Sequence, residues 1–376
     1  MPSNTIPDEQ INALLAERIA AGDFPSAVYA VAERGRILFA DASGCAVTEP
    51  VRRAATVETI YDLASLTKPL VTGLLCARRV ERGELELDRA VADYLPEFAR
   101  RREITVRQLL THTSGLPAWR PLQIATGNRR GRVLEVIAAQ PPGDAPGTRV
   151  VYSDLGFITL GLLLERIAGA TLDELAAREI FRPLRLERTF FKPDRAFQTE
   201  VAACELAGNA YERGMCGAEG GETAGVAWRE QLIWGEVHDG NAHFLGGAAG
   251  HAGLFSNARE TFRLAEQFIA SRTELLAPET CALFRTNMTP GLNEARSFAW
   301  QLAATVDSTA GGALPPDSFG HLGFTGTSCW IDAARERVLI LLTNRTHTRT
   351  LPFVNINGVR RQFHTLAVAA LAEQSK

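Results

Sequence analysis

Apolar residues form short strand-like segments at both ends of the 376-residue chain. Near the start, residues 26–32 and 36–40 predict two strands, and Gly35 between them is typical of a hairpin turn. Near the end, residues 328–332 and 337–342 predict a second pair of strands. Strand-forming sequence is therefore concentrated in two regions that are far apart along the chain.

Helical periodicity predicts one helix before the first strand pair and another after the second. Apolar residues recur every three or four positions over residues 11–19, and a closing helix is predicted from about residue 359 to residue 371. Between the strand pairs, segments such as 69–82 and 156–168 also show helical spacing. The middle of the chain is therefore predicted to be helix and loop.

These patterns together predict an α+β fold of the α/β-sandwich type. One antiparallel sheet is built from the N- and C-terminal segments and flanked by helices, and a mostly helical lobe is inserted between them. We assign residues 1–68 and 291–376 to the sheet-containing lobe and residues 69–290 to the helical lobe, the two forming one catalytic unit. Within the helical lobe, residues 208–253 carry twelve glycines, which predicts a functional or mobile loop system.

Composition and charge narrow the classes of function. Hydrophobic residues make up 46% of the chain and charged residues 22%, which is typical of a globular protein. The formal net charge of −3 gives no electrostatic reason to expect a nucleic acid partner. No apolar run reaches the roughly 18 residues that a membrane span requires. The six cysteines form no CxxC pair, so they predict reduced thiols and no zinc site.

The first nine residues have neither the basic start nor the apolar core of a secretory signal. The sequence as written therefore predicts a cytoplasmic location, and a periplasmic or secreted location would require that a leader had been removed. The sequence leaves the oligomeric state open.

A serine and a lysine three residues apart are the first candidate for chemistry. Pro69 is tolerated only in the first turn of a helix, so the helix begins near Ser65, and Ser65 and Lys68 share one face. A serine becomes a strong nucleophile when a base takes its proton, and a lysine in a semi-buried cleft can do so if its pKa is lowered. We therefore predict a lowered Lys68 pKa. Taken alone, the pattern favours an N-capping serine with a surface lysine.

Two further motifs carry candidate chemistry. The Tyr152 phenol could shuttle a proton beside a lysine ammonium, although Tyr152 could equally pack while Asp154 caps the following helix. His321 and Gly323 precede the predicted strand 328–332, where glycine would let a substrate approach the strand edge and backbone N–H groups could stabilise an oxyanion. A hairpin with a hydrogen-bonded histidine is the alternative.

The order and surroundings of these motifs are more specific than any one of them. The segments concerned are Leu63-Ala64-Ser65-Leu66-Thr67-Lys68, Leu109-Leu110-Thr111-His112-Thr113-Ser114-Gly115-Leu116-Pro117, Tyr152-Ser153-Asp154-Leu155-Gly156, His321-Leu322-Gly323-Phe324-Thr325-Gly326 and Leu342-Thr343-Asn344. Through them nearly the whole chain resembles the serine β-lactamase and penicillin-binding protein superfamily, especially its class C and esterase-like branch.

The resemblance implies a role for each matching residue. Ser65 would be the acylated nucleophile, Lys68 its base partner, and Tyr152 the general base and acid. The backbone N–H groups of Ser65 and Phe324 would form the oxyanion hole. The implied fold is the α/β sandwich with a helical lobe, and the implied chemistry needs no cofactor and no metal.

Two positions depart from the pattern of the superfamily. Many relatives have asparagine at the position of Asp154, and a carboxylate cannot donate the amide hydrogen bond. Many β-lactamases have lysine at the position of His321, and a neutral imidazole would hold a substrate carboxylate less strongly. Asp154, His321 and Gly323 are therefore expected to bind substrate, but not in the manner of a dedicated β-lactam hydrolase.

The leading hypothesis is a serine hydrolase that cleaves a small-molecule ester, amide or β-lactam through a Ser65 acyl-enzyme. A carboxylesterase is favoured first, then a D-alanyl peptidase or penicillin-binding enzyme, then a β-lactamase. A metal-dependent hydrolase using His238, Asp239 and His251 is an alternative of another class, although their spacing matches no helical zinc pair. An inactive binding module is a further alternative, against which the intact serine, lysine and tyrosine argue.

Overall fold

A computed structural model describes residues 6–141, 143–218 and 228–374 of the protein. The strands in this part of the chain are β1 (Ser26–Glu33), β2 (Arg36–Val47), β3 (Arg53–Ala54), β4 (Tyr61–Asp62), β5 (Phe190–Phe191), β6 (Leu254–Ser256), β7 (Gln301–Leu302), β8 (Phe319–Leu322), β9 (Ser328–Asp332) and β10 (Arg337–Thr343). The α-helices are α1 (Glu9–Ala20), α2 (Leu74–Glu81), α3 (Val106–Leu110), α4 (Leu122–Ala125), α5 (Val133–Ala138), α6 (Asp154–Ala168), α7 (Leu172–Ala176), α8 (Ala210–Ala218), α9 (Gly240–Phe244), α10 (Ala258–Ala265), α11 (Ala282–Arg285) and α12 (Asn357–Gln374). Tighter or wider helical turns span Ala64–Leu66, Lys68–Gly73, Val91–Asp93, Pro96–Phe98, Arg130–Arg132, Ala177–Phe181, Arg195–Glu200, Glu266–Phe268 and Pro278–Cys281.

Both ends of the chain contribute strands to one antiparallel sheet. Its seven strands lie in the order β3-β2-β1-β10-β9-β8-β7. The central pair joins the two ends, with Ala27 opposite Thr343 and Glu33 opposite Arg337. The predicted α+β fold with an antiparallel sheet from both termini is therefore confirmed. The boundaries of the two lobes, residues 1–68 with 291–376 and residues 69–290, remain a prediction.

The central strands are apolar on both faces because the sheet is covered on both sides. In β1, Val28 and Ala30 belong to the core beneath the helical part of the chain, whereas Tyr29 and Val31 belong to the core under α1 and α12. Successive side chains of a strand point to opposite faces, so a continuous apolar run is what a sandwiched strand requires. The terminal helices thus cover one face, and the remaining helices cover the other.

A second, three-stranded sheet was missed by the sequence patterns. It has the order β4-β6-β5, and each of its strands has only two or three residues, which is too short to show alternation. Strand β4 ends immediately before the Ser65 turn, so this small sheet fixes the start of the segment that carries the candidate nucleophile. Its central strand directly follows the glycine-rich region 208–253, of which residues 219–227 lie outside the described residues.

By length and apolarity, no individual helix among the described residues could cross a membrane. Two consecutive helical segments, Asp154–Ala168 and Leu172–Phe181, meet the length and composition requirement only as a pair, and they are bent by 74°.

A buried carboxylate, Glu179, ties α2 to the helical turn Ala177–Phe181. Its oxygens lie 2.6 Å from Arg79 Nη2, 3.2 Å from Arg82 Nη1 and 3.2 Å from Arg178 Nη2. Burial acts to raise the Glu179 pKa, but these guanidinium groups outweigh burial and lower the pKa to about 2. Because the pKa is depressed in the folded state, the stabilisation is present above about pH 4.5 and is lost as the pH falls towards 2.

Replacing Glu179 by glutamine is expected to lower the free energy of unfolding at pH 7 by about 3 kcal/mol, because the buried Arg79 would keep only its contact with the more exposed Glu84. Urea denaturation of wild type and variant between pH 7 and pH 2.5 measures this, and the difference should narrow below pH 4.5. Glu135→Gln, which removes an exposed ion pair with Arg132, is the matched control and should cost less than about 1 kcal/mol. Equal costs for the two variants would contradict the prediction.

Candidate active site

Ser65 lies in a strained turn directly after β4. The preceding residue, Ala64, has a left-handed backbone with φ of 47°, and its N–H donates a hydrogen bond of 2.8 Å to Asp62 Oδ1. Non-glycine residues in this conformation are uncommon and concentrate at functional sites. The turn places Ser65 on the wall of two neighbouring cavities. No sequence pattern had identified Asp62 as the residue that holds this turn.

Lys68 is completely buried beside Ser65. Its Nζ lies 2.9 Å from Ser65 Oγ, 3.2 Å from the carbonyl oxygen of His251 and 2.6 Å from Asp154 Oδ1. The contact with Asp154 is an ion pair. The alternative of a surface lysine beside a capping serine is therefore wrong.

The prediction of a lowered Lys68 pKa is also wrong. Burial acts to lower the pKa, but the Asp154 carboxylate and Tyr152 act in the opposite direction, and the net pKa lies above its ordinary value of 10.5. Sequence reasoning anticipated the desolvation of Lys68 and missed the carboxylate in contact with it. In the free enzyme, Lys68 is therefore an ammonium.

Tyr152 is brought alongside from the loop before α6. Lys68 Nζ lies 4.8 Å from the centre of its ring, and its hydroxyl interacts with the side chains of Lys68 and Ser65. The ring of His112 lies 4.5 Å from that of Tyr152, and His112 Nδ1 accepts a hydrogen bond from the Ser153 N–H. Burial raises the Tyr152 pKa more than Lys68 lowers it. The phenol is therefore protonated near neutral pH.

Asp154 does not cap the helix that it begins. The cap of α6 is Ser153, whose Oγ accepts a hydrogen bond of 3.2 Å from the Gly156 N–H. The alternative of a capping Asp154 is therefore wrong by one residue. Its carboxylate is free to contact Lys68 instead.

The loop between β8 and β9 is fastened to the segment that precedes Ser65. Thr325 Oγ1 donates a hydrogen bond of 2.7 Å to the carbonyl oxygen of Asp62, and Thr327 Oγ1 donates one of 3.0 Å to that of Leu63. Both bonds are buried. They hold the backbone at Phe324 close to the nucleophile, where the resemblance places the second half of the oxyanion hole.

Gly323 is required for a reason other than the one that the sequence indicated. A Cβ atom at this position would lie 2.0 Å from Thr327 Oγ1 and 2.5 Å from the carbonyl oxygen of Leu63. The glycine therefore permits close packing within the protein, although Gly323 also lines the larger cavity. The Phe324 N–H donates no hydrogen bond to another described residue, which leaves it available to a substrate oxygen.

His321 is buried and neutral. Burial and the positive charges of Lys68 and Arg296 hold its pKa well below the ordinary value. Its Nδ1 lies 2.8 Å from the carbonyl oxygen of Leu322, so Nδ1 carries the proton. Its Nε2 has no partner among the described residues and can only accept a hydrogen bond. An imidazole in this state cannot attract a substrate carboxylate.

Three arginines that sequence reasoning missed line the larger cavity, which has a volume of about 440 Å³: Arg296, Arg345 and Arg360. Arg360, 5% exposed, donates to the carbonyl oxygens of Gly323 and Thr327, and its Nε has no partner in the described chain. Arg345 donates to the carbonyl oxygen of Phe324. Arg296 forms an ion pair with Glu294, whereas Arg345 and Arg360 form no ion pair with a carboxylate among the described residues.

A smaller cavity of about 210 Å³ also has Ser65 in its wall. Ser65, Tyr152 and Phe324 line both cavities. The smaller cavity has an acidic and aromatic wall, comprising Trp119, Asp154, Tyr211, Glu212 and Asp239. Burial and the negative charge of the nearby Asp239 raise the pKa of Glu212 to about 7. The charges of the two cavities are therefore opposite in sign.

The structure brings together only part of the predicted metal-binding set. His251 Nε2 lies 2.8 Å from Asp239 Oδ1, whereas His238 Nε2 lies 2.9 Å from Glu205 Oε2. Side-chain atoms of Asp154, Asp239 and His251 come within 4.8 Å of one another. The Lys68 ammonium already lies against Asp154, in the position where a cation would be attracted.

Comparisons with known proteins identify the family of the chain. The family model described as Beta-lactamase matches residues 11–358. A protein of Escherichia coli strain K12 named "Putative D-alanyl-D-alanine carboxypeptidase" is 30% identical over 90% of this chain and 82% of its own length. An "N-acetylmuramyl-L-alanine amidase" of Bacillus subtilis strain 168 is 32% identical over 90% of this chain and 81% of its own.

Solved structures show the same fold at lower identity. A class C β-lactamase has a TM-score of 0.73 at 17% identity, covering 96% of this chain and 95% of its own. EstCE1, a hydrolase with promiscuous acyltransferase activity, has a TM-score of 0.70 at 22% identity, covering 95% and 97%. At these identities the likeness concerns the fold alone. From the family model and the relatives at 30% identity or more, the chain belongs to the β-lactamase family of hydrolases.

Proposed function

We propose that this protein is a serine hydrolase that forms an acyl-enzyme at Ser65. The observation that carries the proposal is the convergence of Ser65 Oγ, Lys68 Nζ and the Tyr152 phenol where two cavities meet. A substrate spanning both cavities would present its scissile bond to Ser65. A reactive alcohol, a buried ammonium and a neighbouring phenol supply what acyl transfer requires.

In the proposed reaction, Ser65 Oγ attacks the carbonyl carbon and gives up its proton. The N–H groups of Ser65 and Phe324 stabilise the oxyanion. Tyr152 delivers a proton to the leaving group and, in the second half-reaction, orients the water that releases the acyl group. Lys68 stabilises the developing negative charge on Ser65 Oγ from 2.9 Å.

The substrate class that we propose first is an amide or ester with a carboxylate close to the scissile bond, as in a peptide ending in a D-amino acid. Arg345 and Arg360 supply the positive charge that a carboxylate needs, and the neutral His321 does not. The names of the relatives, a carboxypeptidase and an amidase, support an amide substrate. This ranking places a peptidase before the carboxylesterase that the sequence favoured.

A carboxylesterase acting on uncharged esters is the second candidate. The aromatic side chains of Trp119, Tyr211 and Phe324 line the smaller cavity, and such a surface suits an apolar acyl group. The same acyl-enzyme chemistry would serve both substrates. The peptidase would need the positive charge of Arg360 to bind the substrate carboxylate, whereas the carboxylesterase would not.

Replacing Arg360 by methionine is expected to lower kcat/KM about 30-fold for a diacylated tripeptide ending in D-alanyl-D-alanine, since a charged hydrogen bond contributes about 2 kcal/mol. The same peptide with an amidated C-terminus should change less than threefold. The comparison of the two peptides separates carboxylate recognition from any disturbance of the loop at Gly323 and Thr327.

The matched control for this experiment is Arg361→Met. The Arg361 side chain is exposed and donates to the carbonyl oxygen of Asp307 outside both cavities. Equal losses on both peptides in Arg360→Met would contradict carboxylate recognition. Turnover of p-nitrophenyl butyrate without turnover of either peptide would establish the esterase instead.

A further inference from the structure

We infer that Asp154 is the base that receives the Ser65 proton during acylation, with Lys68 as the group that passes it on. This inference rests on the proposed acyl-enzyme function and assigns to Asp154 a role in the reaction beyond substrate binding. It explains why a carboxylate stands at a position where many relatives have asparagine.

Lys68 Nζ is surrounded by oxygen atoms. It lies within 3.2 Å of Ser65 Oγ, the His251 carbonyl oxygen and Asp154 Oδ1, and it also interacts with the Tyr152 hydroxyl. An ammonium has no lone pair. Lys68 in this geometry can take the Ser65 proton only if it loses one of its own at the same time.

Among the neighbours of Lys68 Nζ, only one is suited to accept the proton that Lys68 must lose. The Tyr152 phenol is itself protonated, because burial raises its pKa. The His251 carbonyl is an amide oxygen and a very weak base. Asp154 is the remaining neighbour of Nζ, and it lies at the shortest of the three distances, 2.6 Å. Its carboxylate carries the negative charge and the electron pairs that a base needs.

The proton balance of acylation then follows. As the bond between Ser65 Oγ and the substrate carbonyl carbon forms, the Ser65 O–H bond breaks and an N–H bond forms on Lys68. Another Lys68 N–H bond breaks, and an O–H bond forms on Asp154. The carbonyl π bond opens to an oxyanion as the Ser65 Oγ bond forms. When the carbonyl re-forms, the bond between its carbon and the leaving group breaks, and the proton returns by the reverse route, or through Tyr152, to the leaving group, so no oxidant, reductant or additional reactant is needed. Catalytic hydrogen bonds often tighten on substrate binding, which would align Lys68 and Asp154 for the transfer.

The surroundings keep Asp154 available as a base. The nearby carboxylate of Asp239 is engaged by His251 Nε2 and by the Ala242 N–H, so it does not compete for Lys68. Ionisable groups face Asp154 from several elements. Lys68 lies in the turn after Ser65, and Tyr152 lies two residues before Asp154 in the same loop. Asp239 and His251 come from the segments around α9, and Glu212 and His238 line the same smaller cavity.

The inference makes a specific prediction for the pH dependence of acylation. In the wild type, the rate of the p-nitrophenol burst with p-nitrophenyl butyrate should not rise tenfold per pH unit between pH 6 and 8, because the acceptor is already the anionic partner of Lys68. Ionisation of Glu212 across the smaller cavity, with a pKa of about 7, should add only a smaller change over this range. If the base were a lysine amine or a tyrosine phenolate, the rate would rise about tenfold per pH unit over the same interval. Such a rise in the wild type would overturn the inference without any mutation.

Asp154→Asn provides the second measurement. The amide keeps the shape of Asp154 but cannot accept the proton, so the burst rate at pH 7 should fall about 100-fold. Lys68 must then act as a neutral amine, and the residual rate should rise about tenfold per pH unit from pH 7 to 9. A variant whose rate stays within threefold of wild type, with an unchanged pH profile, would show that Asp154 is not the base.

A matched variant and a mass measurement complete the design. Asp88→Asn removes the carboxylate of an exposed ion pair with Arg107, away from both cavities, and should leave the burst rate and its pH profile unchanged. Intact mass spectrometry of the wild type identifies the acyl adduct. If no adduct forms on the wild type, the proposed function fails; if an adduct forms and Asp154→Asn behaves as wild type, only the inference about Asp154 fails.

Discussion

Replacing Ser65 by alanine is expected to reduce turnover of every substrate at least about 10⁴-fold, because removal of a nucleophile leaves only the contribution of binding and the oxyanion hole. The fold should tolerate the change, since the strained turn is held by Asp62 and Ala64 and not by the Ser65 hydroxyl. Steady-state hydrolysis of p-nitrophenyl butyrate and of a D-alanyl-D-alanine peptide measures the loss. Intact mass spectrometry should show an acyl adduct on the wild type and none on the variant.

The control for this variant is Ser308→Ala, at a serine outside both cavities, which should retain full activity. Hydrolysis at the wild-type rate by Ser65→Ala would remove the acyl-enzyme proposal. Activity that persists in Ser65→Ala but is abolished by EDTA would instead support a metal-dependent hydrolase using Asp239 and His251. Ser65→Ala is expected to lose labelling by a fluorophosphonate probe in parallel with its loss of turnover.

The second large effect is expected from Tyr152→Phe, which should lower kcat about 10³-fold while leaving KM nearly unchanged. The variant keeps the ring that packs against His112 and Lys68 and loses only the hydroxyl. General acid–base catalysis by a positioned side chain contributes about 10²–10⁴ in rate. Because the phenol is protonated at neutral pH, the first consequence should be slower departure of a poor leaving group.

The size of the loss in Tyr152→Phe should depend on the leaving group of the substrate. An amide substrate needs a proton on its nitrogen, whereas p-nitrophenolate departs without one, so the loss should be greater for the peptide than for the p-nitrophenyl ester. Tyr94→Phe is the control, since the Tyr94 hydroxyl accepts a hydrogen bond from the Glu86 N–H outside both cavities. Equal losses for both substrates would indicate that Tyr152 has a positioning role and does not act as a proton donor.

The fold could be predicted from the sequence because it depends on local patterns: apolar runs at the two ends predicted the sandwiched strands β1 and β10. The three-residue spacing with Pro69 placed Ser65 and Lys68 on one helical face but taken alone favoured a surface lysine, so their contact was predicted only with the family resemblance. Tyr152 was placed beside them by family resemblance. No local pattern could have placed it there, since it lies 87 residues from Ser65 along the chain.

The errors concern contacts between segments that are far apart along the chain. The direction of the Lys68 pKa depends on Asp154, and the effect of that carboxylate could not be read from either motif alone. Arg345 and Arg360 look like ordinary surface cations in the sequence; only the folded chain shows that they are partly or fully buried beside Ser65, with no counter-ion among the described residues. Gly323 was expected to let a substrate approach the strand edge, but its nearest constraint lies within the protein, because a Cβ atom at this position would clash with Thr327 and Leu63.

The pairing of β1 with β10 has a consequence for biosynthesis. The two strands are about 310 residues apart in the chain, with Ala27 opposite Thr343, so the centre of the sheet cannot assemble until the polypeptide has left the ribosome as far as Thr343. Contacts of such long sequence separation slow folding. The loop bearing Thr325 and Thr327, which fastens the backbone beside Ser65, is also synthesised late. Nascent chains that stop before β8 would therefore carry the nucleophile without the backbone that completes its oxyanion site.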